Sequence, residues 1–487
     1  MNSIEVAIFI MYLVCMLCIG AYFYRNANEG GDKQYFLGGR QMGSWVAALS
    51  AGASDMSAWV LMGLPTAIYA LGLGQLWIAI GLLGGYTISW LYEAPRLRAF
   101  SVVYGDSITV PQFLTNRFLS KSKSLQVVSA VVFLIAYTIY AASSIKACGI
   151  LFNTVMGLDA TWAMFLGAFV IVSYTFLGGF KAVCWTDFVQ GLIMLGAMFI
   201  APIFAASMVQ GGADVSIPAS YWSLTADWHD VISGLAWGFG YFGMPHIIVR
   251  FMSLEKQSEI KKSAVIGIGW TAFILLFAAA IGVIGRLFLG FDDGINANSL
   301  VFITMVRRIF PAVISGILLS AVLAASMSTA DSQLLAAGSA FASDVYKPVI
   351  RKNSASEKEM MWVGRIVVLV IAVLAMMIAI APNSGSIMSL VSNAWGVFGA
   401  AFGPAIMLSL FWKRFNFTGA VAGIVAGTVV DIGWLMYLSD THIYELFPAY
   451  IVGAVVAYVA ALLTAPPEQA VVAKYNEAEE KVLKGLN

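Results

Sequence analysis

The stretch Leu49-Ser-Ala-Gly-Ala-Ser-Asp-Met-Ser-Ala-Trp59 decides how the rest of the chain is read. Asp55 stands there inside an apolar run long enough to cross a membrane. A carboxylate at bilayer depth costs several kcal/mol unless something pairs with it, so such a residue marks function. Its neighbours are small residues that let a helix break and expose backbone carbonyls. Carboxylate, hydroxyls and freed carbonyls form the donor set that a small hard cation needs.

Composition places this stretch in a membrane protein. Of 487 residues, 60% are hydrophobic and 11% charged, against about 25% charged in a soluble domain. Net charge is +1, which argues against nucleic-acid binding. Cys15 and Cys18 have CxxC spacing, but inside an apolar helix, where lipid-facing packing outweighs a redox or metal role. Three histidines, His229, His246 and His442, are too few for a metal cluster. The N-terminus lacks the basic region of a cleaved signal peptide, so residues 5–24 read as a retained first helix.

Apolar runs of about 20 residues predict an all-α polytopic protein with about 13 spans. They fall near 5–24, 42–71, 75–93, 125–153, 160–179, 185–208, 231–250, 264–289, 312–342, 362–381, 385–411, 418–437 and 443–464. Of 27 Lys and Arg residues, 23 fall on one side if the N-terminus lies outside, among them Arg40, Arg96, Arg98, Arg117, Lys121, Lys123, Arg250 and Lys347. Only Arg286, Arg307 and Arg308 fall on the other. The positive-inside rule then puts the C-terminus in the cytoplasm and the protein in the cell inner membrane.

Two spans look interrupted. The second carries Ala51-Gly-Ala-Ser54, the seventh Trp237-Gly-Phe-Gly-Tyr-Phe-Gly-Met-Pro245. Backbone freed in this way is tolerated only where it lines a cavity. The breaks lie five spans apart, an odd number, so the two segments cross in opposite directions. That is the pattern of an inverted repeat with a midplane site. The expected organisation is 1–41, first helix and inner loop; 42–210, first repeat; 211–412, second repeat; 413–464, two peripheral helices; and 465–487, a polar cytoplasmic tail with a short surface helix.

Span 9 contains Leu323-Ala-Ala-Ser-Met-Ser-Thr-Ala-Asp-Ser332. Taken alone, Ser328 and Thr329 suit small-residue helix packing or back-bonding to their own helix. Set beside the broken second span they suit cation binding. Carbonyls of Ala53, Met56 and Ala325 with these two hydroxyls make five neutral oxygens, which suits sodium.

The run from Ser50 to Ser57, Leu61-Met-Gly-Leu-Pro65, Trp185-Thr-Asp187, Gly240-Tyr-Phe-Gly243 with Pro245-His246, Ser326-Met-Ser-Thr329, and Lys413-Arg414 followed by Gly419-Ala420 together resemble the sodium/solute symporter family, closest to its bacterial proline-importing members. The resemblance extends to about residue 465. It implies the leucine-transporter type of fold with a five-plus-five inverted repeat, a co-transported sodium ion, and a small-molecule substrate, proline. The partners it implies are that substrate and the bilayer, with no obligate protein partner.

By the same resemblance the sodium site maps to Ala53, Met56, Ala325, Ser328 and Thr329, with Asp55 acting nearby. The substrate site maps to Ser57, Ala58, Tyr140, Trp237, Tyr241 and Pro245. Aromatic faces would cover a pyrrolidine-sized ring, and hydroxyls and helix ends would meet the carboxylate and ammonium. Four departures from the proline-importing pattern stand out. Ala58 replaces a glycine and Met244 a polar amide. Asp331 replaces a hydroxyl residue: with Asp187, Ser328 and Ser332 it suggests a second cation site, and the alternatives are a proton carrier or a structural pair with a neighbouring donor. Lys146 lies six residues past Tyr140, about 9 Å along the helix at 1.5 Å per residue. It would snorkel outward or attract substrate carboxylates.

An ion channel, a membrane enzyme and a membrane sensor are the rival classes. The sequence offers no ring-like filter repeat, no nucleophile elbow and no metal-spaced cluster, and the tail is too short for a signalling domain. The expectation is a transporter and not an enzyme, with another small neutral amino acid or organic solute as the alternative substrate.

Overall fold

The computed structural model describes residues 3–29, 31–120, 122–209, 217–225 and 227–486; Lys121, counted above among the inward charges, lies outside them. The helices used below are α1 (Ser3–Glu29), α2 (Ser44–Asp55), α3 (Leu64–Leu71), α4 (Leu76–Ile88), α5 (Ala94–Val103), α6 (Ser124–Met156), α7 (Ala160–Met208), α8 (Trp228–Ala236), α9 (Pro245–Ser253), α10 (Glu259–Leu289), α11 (Ala312–Ala340), α12 (Glu357–Ile380), α13 (Ile387–Phe411), α14 (Phe417–Tyr437), α15 (Leu446–Leu463) and α16 (Gln469–Leu486).

Among the described residues, nine helices are long and apolar enough to cross a membrane. The other expected spans depart from a single continuous helix for identifiable reasons. The second stops at Asp55, turns at Met56 (φ −78°, ψ 70°) and resumes through a π-helical turn at Trp59–Gly63. The third joins α4 to α5 through another such turn at Ser89–Glu93. The fifth meets the sixth within α7 at Gly179, whose φ of 62° and ψ of −170° only glycine adopts without strain. The seventh is α8, a 3-10 stretch at Trp237–Phe242, and α9.

The first break differs in position from the expectation. Ala51–Ser54 remain helical, and the chain turns two residues later. Gly52 serves close approach instead: a Cβ there would meet Trp270 Cε3 at 2.6 Å. Helix ends carry the expected caps. Asp159 accepts from Thr161 N (3.0 Å), Asn416 from Gly419 N (2.9 Å), and Ser356 and Glu359 form a capping box.

The broken segments pack against each other at the centre. Trp59 lies 6.1 Å from Trp237, ring to ring, and His246 Nε2 reaches Ser54 O at 3.2 Å. Helix α11 runs beside α2 and packs on α6 and α7. Helices α14 and α15 pair with each other and lean on α13.

Candidate cation and substrate site

The break in α2 frees an acceptor. The Ser57 N–H turns back to Asp55 O (2.9 Å) instead of continuing the helical ladder to Ala53 O. Ala53 O accepts from Ser328 Oγ on α11 at 2.8 Å, and Ser328 Oγ lies 3.3 Å from Ala325 O. Three of the five expected sodium ligands thus share one hydrogen-bond cluster. Next to Ser328, Thr329 Oγ1 is buried with no partner. An orphaned hydroxyl beside freed carbonyls fits a hard cation, because a buried polar atom left unpaired costs about 1–3 kcal/mol. Met56 stands at the helix end itself.

Asp55 is fully buried and points elsewhere. Its Oδ2 accepts from the Tyr241 hydroxyl, and its Oδ1 has no partner. Asp55 therefore ties the first broken segment to the second.

The residues mapped to substrate come from three places: Ser57 and Ala58 from the first break, Tyr140 from α6, and Trp237, Tyr241 and Pro245 from the second break. Ser57, Ala58, Tyr140 and Tyr241 are all 0–1% exposed, and Trp237 is 5% exposed. That burial removes the interfacial aromatic belt as an account of Trp237 and Tyr241, since belt residues face headgroups. Trp237 sits between Trp59, Trp395 and Tyr444, and its carbonyl accepts from Trp395 Nε1 at 2.8 Å. Tyr140 lies 6.2 Å from His246, ring to ring, with its hydroxyl unpartnered. Trp237 opens on one cavity, with Ser233, Ser389 and Tyr444. Pro245 opens on another, with Arg250 and Ser332. The mapped set therefore spans the break and does not share one pocket.

The expected second cation site is rearranged. Arg250 occupies its centre: Nη2 lies 3.1 Å from Asp187 Oδ2 and 2.5 Å from Ser332 Oγ, and Nε donates to Ser50 Oγ at 3.1 Å. Ser332 Oγ also donates to Asp331 Oδ1 at 3.2 Å. Ser328 takes no part in these bonds and turns to Ala53. Asp187 Oδ1 and Asp331 Oδ2 are unpartnered. Sequence reasoning counted Arg250 only as an inward charge. The available signal was its i, i+4 spacing from His246, whose carbonyl it binds. Lys146 does not snorkel freely; its Nζ donates to Ser384 Oγ (2.9 Å) and to Gly385 O, in the turn between α12 and α13.

Residues 35–427 match the model of the sodium:solute symporter family. The chain is 40% identical to the high-affinity proline transporter PutP of Bacillus subtilis (strain 168) over 476 residues, 96% of this chain and 99% of that one. It is 39% identical to the sodium/proline symporter of Staphylococcus aureus (strain JH9) over 488 residues, 97% and 95% of the two chains. Among solved structures, a Na+-coupled sialic acid symporter in a substrate-bound, outward-open state superposes with a TM-score of 0.81 at 23% identity, covering 96% of this chain and 99% of that one. The fold is of the leucine-transporter type.

Proposed function

The chain belongs to the sodium:solute symporter family, and from that premise we propose that it is a sodium-coupled symporter that imports proline. The observation that carries the reading is the Ser328 hydroxyl on Ala53 O beside the unpartnered Thr329 hydroxyl. A sodium ion among Ala53 O, Met56 O, Ala325 O, Ser328 Oγ and Thr329 Oγ1 would hold the end of α2 against α11. That fixes the turn carrying Ser57 and Ala58. Coupling requires sodium to favour the substrate-competent arrangement, because a ligand of equal affinity for two states shifts nothing.

The substrate meets Ser57, Ala58, Tyr140, Trp237, Tyr241 and Pro245. This set has aromatic cover and no formal charge, which suits a small apolar zwitterion. The relatives at about 40% identity bear names that include proline. Asp55 acts beside the sodium ion: through Tyr241 it links occupancy of one broken segment to the shape of the other. Trp237 and Pro245 open on different cavities while the residues between them are buried, as expected with both gates shut. The repeats 42–210 and 211–412 rock about this centre, with the N-terminus outside and the C-terminus in the cytoplasm. Inward of the sodium ligands, Asp187 and Asp331 face one guanidinium, so a proton or a second sodium ion balances the remaining charge.

Proline binding to the purified protein, measured with sodium or potassium present, tests the reading. Binding should require sodium and be displaced by excess proline but not by glucose or glutamate. If Tyr140→Ala, Trp237→Ala and Tyr241→Ala all leave affinity within twofold, the site map is wrong. Ala58 and Met244 favour a second reading, a smaller neutral amino acid such as alanine or serine. Ala58→Gly should then improve proline relative to those competitors.

A further inference from the structure

Two carboxylates stand where α14 and α15 lean on α13. Asp431, in α14, is fully buried, and neither of its oxygens has a partner. Glu445, the residue before α15, is 8% exposed, and its Oε1 has no partner either. They meet over Gly396 of α13. A Cβ there would lie 2.8 Å from Asp431 Oδ2 and 3.4 Å from Glu445 Cγ. The bare backbone at 396 thus leaves the room that both acids occupy.

Among the described residues, nothing around the pair supplies a donor or a countercharge. Helices α13 and α15 carry no charged residue, and α14 carries only Asp431. On the other elements packed here, each titratable group is engaged elsewhere. Lys146 of α6 donates to Ser384 and Gly385, His229 of α8 pairs with Asp227, and Asp230 accepts from Gln75 Nε2 at 3.0 Å. Tyr241 donates to Asp55, Tyr450 stacks on Phe239, and Tyr444 donates its hydroxyl to Ser392 O at 2.7 Å. Asp440 and His442, in the turn between α14 and α15, are exposed. An ionised carboxylate can only accept a hydrogen bond, and two like charges in one buried site resist joint ionisation. Three orphaned oxygens fall short of the set proposed above for sodium.

We propose that Asp431 and Glu445 share one proton, the carboxyl of one donating to the carboxylate of the other, and that this proton holds the wall of the substrate site at Trp237. The lever is short. Tyr444, next to Glu445, stacks on Trp237 at 5.1 Å and opens on the same cavity. Trp395, next to Gly396, donates to Trp237 O. Loss of the proton leaves two buried negative charges without a partner. Their repulsion parts α14 from the turn before α15 and draws Tyr444 off Trp237. Both helices lie outside the repeats proposed above, so the proton stays in place while sodium and substrate move. The shared proton is independent of the proline reading; its effect on substrate rests on that reading.

Infrared spectra of the purified protein in deuterated buffer test the proton directly, as parent minus Asp431→Asn and parent minus Glu445→Gln. At neutral pH each difference should contain the carbonyl stretch of a protonated carboxylic acid, and alkaline pH should remove that band from the parent. Proline binding with sodium present, over the same pH range, reads the lever. The parent should lose affinity about fivefold as the band disappears, the equivalent of one lost hydrogen bond. Asp431→Asn, whose amide is a permanent donor, should keep its affinity throughout. The proposal is overturned if neither difference shows the band, if the band follows sodium or potassium concentration instead of pH, or if both variants keep the parent's fall in affinity. A band that titrates in a protein that binds no proline upholds the shared proton and overturns the proline reading instead.

Discussion

At the residue scale, Thr329 is the most informative side chain because it is buried with nothing to bond. Thr329→Ala removes one hydroxyl ligand worth roughly 1–2 kcal/mol, so half-maximal uptake should need about five- to thirty-fold more sodium. Unchanged sodium dependence in well-inserted protein would remove Thr329 from the site. Asp55→Asn keeps the shape and the bond from Tyr241 but drops the charge. Sodium affinity should fall while thermal stability stays near that of the parent. Asp55 was legible in the sequence because it stands as a lone charge in an apolar run. Arg250 was not. An arginine at the end of a span looks like any inward loop charge until the fold brings Ser50 and Asp187 to it, residues 200 and 63 positions away. Arg250→Met strands the Asp187 carboxylate. Removing one partner of a buried pair costs about 3–5 kcal/mol, so the variant should lose folded yield, and Asp187→Asn in the same chain should restore part of it. No recovery in the double variant would mean that the pair is not the reason.

At the element scale, the second break was legible because glycines cluster before Pro245, and the structure has its 3-10 stretch there. The first was misplaced because glycine has two uses. Gly52 admits Trp270, whereas the turn itself falls at Met56. Gly240 carries the sharpest test. A Cβ there would lie 1.9 Å from Trp395 Nε1, the donor that holds Trp237 O. Gly240→Ala should therefore displace the Trp237 wall and lower apparent proline affinity at least tenfold. Trp395→Phe, which removes only the donor, should cost less. Equal uptake by parent and Gly240→Ala would show that this packing does not shape the site.

At the scale of the whole molecule, the polar tail was legible as a helix, but not its docking. Helix α16 is fixed by partners far away in sequence: Tyr475 OH donates to Leu410 O (3.0 Å), Tyr104 OH to Val471 O (3.3 Å), and Glu479 pairs with Arg96 (2.8 Å). The same limit explains why the family was readable from local motifs, whereas the cavities on which Trp237 and Pro245 open were not. The central claim is that a sodium gradient does the work. It is tested most directly by labelled proline uptake into sealed proteoliposomes, with an inward gradient of sodium, of potassium, or of protons in sodium-free buffer. The account predicts accumulation above equilibrium with sodium alone, increased by an inside-negative potential. Full accumulation driven by protons without sodium would contradict it.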